Sequence, residues 1–184
     1  MELQGKHIAI FVAEQYEDLE VWYPALRLRE AGAEVAIVGI GAESYTSKHG
    51  LPIQADSSAE QVQPNDFDAI IIPSGLTSEV FADNPAVTAL VLTAIQQGKV
   101  VATTASAGRM VVAAHQEGDE RARRFFGMQE EVVREEGPLQ DSAVIREGNL
   151  ILARTPVDLL AFCRMIMAAL APPPASPTTP VTSG

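Results

Sequence analysis

Short apolar runs alternate with segments of helical periodicity along this chain, and the alternation predicts an α/β domain with a mainly parallel central sheet between layers of helices. Two observations support it. The runs at His7-Ile8-Ala9-Ile10-Phe11-Val12, Glu34 to Ile40 and Phe67 to Pro73 are nearly all apolar, as strands covered on both faces must be. The stretch from Val100 to Met110 then runs from a buried strand through a turn of small residues into a helix, a junction at which α/β enzymes commonly hold a nucleophile. The first N–H groups of such a helix have no partner within it and point at whatever binds beside them.

The elements follow in order. After the first strand, Glu17 to Ala31 carries Leu19, Val21, Trp22, Leu26 and Leu28 at helical spacing, and Gly32 supplies a stop. The second strand is Glu34 to Ile40, and the third is centred on Ile70, Ile71 and Ile72. Asn84 and Pro85 form the cap and first residue of a helix running to Gln97, which Gly98 closes before the strand at Val100. Ala143 to Arg146 and Leu150 to Arg154 flank the polar turn Glu147-Gly148-Asn149 and predict a hairpin. Thr155 is a candidate cap, Pro156 a suitable first helical residue and Asp158 a dipole-favoured carboxylate, so the last helix is expected over Pro156 to Leu170.

The 184 residues, 47% of them hydrophobic, suit one domain over 1–171, followed by a proline-rich tail over 172–184 that is expected to be disordered. A net charge of −11 disfavours nucleic acid and anionic membrane surfaces as partners. The start of the chain lacks the features of a secretion signal and no apolar run is long enough to span a bilayer, so a cytoplasmic protein is expected. The single cysteine, Cys163, lies among Phe162, Met165 and Ile166 and is expected to be a buried thiol.

The order and content of Ile8 to Val12, Glu14-Gln15-Tyr16-Glu17-Asp18-Leu19-Glu20, Lys48-His49-Gly50, Phe67 to Gly75, Gly98-Lys99 and Arg154-Thr155-Pro156-Val157-Asp158-Leu159 resemble the DJ-1/PfpI superfamily in its PfpI-like branch, up to about Ala171. The resemblance implies a flavodoxin-like three-layer sandwich and a homodimer or higher oligomer. It also implies membership of a group that includes intracellular peptidases, deglycases, glyoxalases, chaperones and oxidative-stress proteins. The usual site there is a cysteine at the strand-to-helix elbow, a glutamate hydrogen-bonded to it, a following histidine, and backbone N–H groups lining an oxyanion hole. By motif, Glu17 falls on the glutamate and Gly75 on a glycine of the oxyanion loop.

The chain departs from that pattern at its centre. Spacing from Gly98-Lys99 puts Ala105 at the nucleophile position, whereas matching the small-residue and glycine pattern of Ser106-Ala107-Gly108 puts Ser106 there; either alignment removes the thiol and the histidine after it. Ser106 and Glu17 are therefore the candidate catalytic residues of a degenerate site, with Ser74, Gly75, Ala105 and Ala107 as pocket or oxyanion residues. Ser74 replaces a family glycine, so it is expected to adopt an ordinary backbone conformation or to turn its hydroxyl into the site.

Serine needs a base to become a nucleophile, and His7, His49 and His115 are not placed beside Ser106 by sequence, although the fold can bring His49 near. Their spacing offers no metal pair, and no cofactor is expected. The alternative reading of Glu17, Asp18 and Glu20 is a dipole-favoured acidic first turn. Trp22 and Tyr23 either pack in the core or face a dimer partner. The cations Arg121, Arg123 and Arg124 and the acids Glu130, Glu131, Glu135 and Glu136 suit solvated surfaces.

Three functions remain open: a non-catalytic or weakly active, stress-related family member that keeps a pocket for a small carbonyl or peptide ligand; a hydrolase or deglycase using Ser106 with Glu17; and an oligomeric chaperone-like module.

Overall fold

A computed structural model describes residues 2–74, 80, 83–104, 144–153 and 156–171. Strands β1 (His7–Phe11), β2 (Glu34–Gly39), β5 (Ser57–Ser58), β6 (Ala69–Ile72), β7 (Val100–Thr104), β8 (Val144–Glu147) and β9 (Leu150–Ala153) form one sheet in the order β5-β2-β1-β6-β7-β9-β8. Every pairing is parallel except that of the β8–β9 hairpin, which turns through Gly148 at a φ of 61°. The α/β expectation holds, with helices α1 (Asp18–Glu30), α2 (Pro85–Gln96) and α3 (Leu159–Leu170), while the helix expected after the elbow lies outside the described residues.

Strand periodicity explains the three layers. Residues of alternating parity point to opposite faces of a sheet. Thus Ile8, Ile10, Ala69, Ile71, Val100 and Ala102 pack with Val21, Ala25 and Leu28 of α1 and with Phe162, Cys163 and Ile166 of α3. Ala9, Phe11, Ile70, Ile72 and Val101 pack on the other face against Val87, Val91 and Ile95 of α2. The Asn84 side chain accepts hydrogen bonds from Ala86 N at 2.9 Å and Val87 N at 3.3 Å, which makes it the cap its sequence position suggested.

Three short strands had no counterpart in the sequence reading: β3 (Ser44–Thr46), β4 (Pro52–Gln54) and β5. Strands β3 and β4 form a separate antiparallel hairpin, each with one buried residue between two exposed ones, too brief a pattern to register as periodic. The final helix also begins differently from expectation. Pro156–Asp158 is a single 3-10 turn, and the α-helical part starts at Leu159. Such tight first turns are common at helix starts. The expected tail over 172–184 and the candidate cap Thr155 lie outside the described residues.

Candidate functional site

The carboxyl ends of β6 and β7 meet the first turn of α1, and one buried carboxylate joins them. In α1 the inward face carries Val21, Pro24, Ala25 and Leu28, and Glu20 lies on that same face, with only 2% of its surface exposed. An uncompensated carboxylate there would be expensive, since burial strips its hydration. Three donors among the described residues replace the water. Ser74 N donates to Glu20 Oε2 at 2.6 Å, the Ser74 hydroxyl to Oε1 at 2.8 Å, and the Thr104 hydroxyl to Oε2 at 2.5 Å. The Ser74 N and Thr104 contacts lie at the short limit for hydrogen bonds of their kind.

Strand register explains why Thr104 is available. It follows Val100 and Ala102 in the same parity, so its side chain leaves β7 on the α1 side, where Glu20 is. Ser74 stands two residues beyond the end of β6. It has no positive φ, a conformation found only at Gln15 among the described non-glycine residues, so the serine fits where the family pattern has glycine.

Glu17 sits elsewhere. It is the residue preceding α1, and its Oε1 accepts from Lys48 Nζ at 2.8 Å on the protein surface. The hydrogen bond that Lys48 donates to Glu17, reinforced by the charges of Glu17 and Glu20, raises the Lys48 pKa and keeps the amine protonated. The adjoining turn is tied to α1 through Asp18, which accepts from the buried Ser47 hydroxyl at 2.6 Å and meets His49 Nδ1 at 2.6 Å. These two interactions, the Ser47 bond foremost, hold the Asp18 carboxyl below the usual carboxylate range. His49 is thus occupied by Asp18, and His7 lies at the opposite edge, 3.4 Å from Glu34.

The structure therefore brings Ser74 together with Glu20 and Thr104, and places Glu17 with Lys48. Gly75, Ala105, Ser106 and Ala107 lie outside the described residues, as do His115, the arginines at 121, 123 and 124, and the glutamates at 130, 131, 135 and 136. Sequence reasoning missed Glu20 and Thr104 as site residues. A signal for Glu20 was present, because a lone carboxylate occupies the helix face that otherwise carries Val21, Pro24 and Leu28.

Cys163 is buried on α3 against the sheet, and burial pushes its thiol up to about 12, with the charge of Arg27 opposing weakly. Among the described residues no cluster of three histidine, cysteine, aspartate or glutamate side chains is suited to a metal, and no helix is long and apolar enough to cross a membrane.

A mainly parallel three-layer sandwich with a buried glutamate at its carboxyl edge defines a flavodoxin-like protein of the kind the sequence motifs indicated. The chain belongs to the DJ-1/PfpI family, whose pattern matches residues 6–169. It is 29% identical to a deglycase of Pyrococcus abyssi over 89% of this chain and 98% of that one. It is 28% identical to deglycase PfpI of Pyrococcus furiosus, again over 89% and 98% of the two chains. Among solved structures, a DJ-1 superfamily protein of Salmonella typhimurium, determined as a cysteine-to-alanine variant, superposes with a TM-score of 0.71 at 28% identity over 90% of each chain.

Proposed function

We propose that this chain is a DJ-1/PfpI-family protein that binds a small carbonyl-bearing or peptide ligand at the carboxyl edge of its sheet, works as a cytoplasmic homodimer in a stress-related role, and performs no thiol-based catalysis. The observation that carries this reading is the position of the thiol. The only cysteine is Cys163, and it is buried in a helix packed on the sheet, with its thiol held almost wholly protonated at neutral pH. A thiolate is the reactive form in cysteine chemistry, so deglycase or peptidase turnover of that type has no nucleophile here.

The state of Glu20 supports the same reading. Three donors from this chain already engage the carboxylate. Two of them, the hydroxyls of Ser74 and Thr104, are side chains that compete for the lone pairs a reacting group would use.

The test is a paired measurement. Methylglyoxal and glycated amino acids are offered to the purified protein, and their binding is followed by the fluorescence of Trp22 while their conversion is followed by chromatography. Saturable binding without conversion, unchanged by iodoacetamide, is the expected result. Conversion abolished in Ser106→Ala and retained in Cys163→Ala would replace this reading with the serine-based one.

A further inference from the structure

At the amino end of the sheet, opposite the edge that holds Glu20, two cavities lie side by side. The larger, about 560 Å³, opens between the last turn of α3 and the residues that precede β1, β6 and β7, and its charges are Glu2, Lys6, Asp68 and Lys99. The smaller, about 360 Å³, lies between α1 and α3 and carries Arg27 and Arg164. Glu2 and Ala171 line both, so the two adjoin. Each volume is within the range of small-ligand sites.

Register places the charges of the larger cavity. Ala69 pairs with Ile8 on one side and Val100 on the other, so Asp68 and Lys99, one residue earlier, stand next to each other at the strand ends. Asp68 accepts from Lys6 Nζ at 3.1 Å and from His7 N at 3.0 Å. Burial works to raise the Asp68 pKa, but these two bonds and the charges of Lys6 and Lys99 outweigh it and hold the carboxyl below the usual carboxylate range.

Lys6 is thereby matched by Asp68, and Arg27 by Glu30 at 3.2 Å. The half-buried Lys99 and the exposed Arg164 form no ion pair among the described residues, which leaves one unmatched cation in each cavity. Glu2, exposed where the cavities meet, pairs with neither. Helix dipoles account for Arg27 and Arg29 in the last turn of α1. They do not account for Lys99, which precedes a strand, or for Arg164, since the last turn of α3 holds no basic residue. In a chain of net charge −11, only Arg29, Lys48 and Arg146 among the described lysines and arginines lie outside these cavities.

We infer that the two cavities together bind a small molecule bearing two anionic groups, phosphate or carboxylate, with Lys99 and Lys6 holding one group and Arg164 and Arg27 the other. The ammonium groups act as compact point charges, and the planar guanidinium forks match either kind of anion. Open α/β sheets ordinarily bind ligands beyond the carboxyl ends of their strands, so this is a second site, independent of the function proposed for that edge.

Isothermal titration calorimetry at low ionic strength tests the site with fructose 1,6-bisphosphate, succinate and inorganic phosphate. One of the two-headed probes should bind saturably and about tenfold tighter than inorganic phosphate, because its second group is delivered at high local concentration. The tighter of the two assigns the phosphate or the carboxylate class. Lys99→Gln and Arg164→Gln should each weaken that binding about threefold to tenfold. Glu2→Gln should tighten it by removing a like charge, and Arg146→Gln, on the β8–β9 hairpin, should leave it unchanged. Circular dichroism checks that each variant folds. Absence of saturable binding by every probe, or an equal loss in Arg146→Gln and Lys99→Gln, would overturn the inference. Binding that survives Lys99→Gln and Arg164→Gln but fails in Lys48→Gln would move the anion to the carboxyl edge and overturn it as well.

Discussion

Removing the Thr104 hydroxyl measures how firmly the buried carboxylate is held. Thr104→Val keeps the shape of the side chain and the buried β7 position but deletes the 2.5 Å donor to Glu20 Oε2, leaving that oxygen only Ser74 N among the described residues. A hydrogen bond to a charged group contributes about 1.5–3 kcal/mol. For a domain of this size each kcal/mol corresponds to about 2–4 °C, so the melting temperature should fall by about 3–12 °C. Thermal and urea unfolding followed by circular dichroism give the value. Ser74→Ala removes the other hydroxyl while keeping the backbone donor, and because both hydroxyls serve one carboxylate, the double variant should depart from additivity by about 0.5 kcal/mol or more. A Thr104→Val protein that melts within about 1 °C of wild type would refute the account, since a fall that small is well under one ordinary hydrogen bond.

Three further outcomes are expected. The Ser47 hydroxyl, with His49, lowers the Asp18 pKa, so its stabilisation is fully present above the unfolded value of about 3.9 and is lost as pH falls through the lower folded value. Asp18→Asn should therefore flatten the loss of stability between about pH 5 and pH 2; equal slopes in the two proteins would count against the assignment. Cys163 should resist Ellman's reagent in the native protein at pH 8 and react fully in guanidinium, because its thiol is buried and titrates at about 12; rapid stoichiometric labelling of native protein would contradict the burial. Gly39→Ala should cost about 1–3 kcal/mol by overpacking, because a Cβ there would overlap the Tyr45 ring, whose hydroxyl is anchored by Ile40 N at 2.7 Å and Ala42 N at 3.1 Å. An unchanged urea midpoint would show that the Tyr45 ring yields freely.

Legibility followed the length of the pattern. The strands β1, β2, β6 and β7 could be read because runs of apolar residues bounded by turn signals have few alternatives, and Asn84 with Pro85, Gly32 and Gly98 marked helix ends through local chemistry. Strands β3, β4 and β5 have two or three residues each, and only their pairing makes them strands. The site divided in the same way. Motif position pointed to Glu17, but Glu17 and Glu20 are three residues apart in one acidic segment, and the choice between surface and interior depends on which side of α1 meets the sheet.

The amino-acid order alone determined the α/β class, the family and the confinement of the thiol to Cys163, because each is carried by residue type and by periodicity within short windows. Only the tertiary structure decided that Glu20 is the carboxylate facing the ends of β6 and β7, with Ser74 and Thr104 as its donors. Those contacts join residues 54 and 84 positions apart, and no local rule relates them. Sheet register, by turning every second residue of β7 toward α1, is the physical step that brings them within hydrogen-bonding distance.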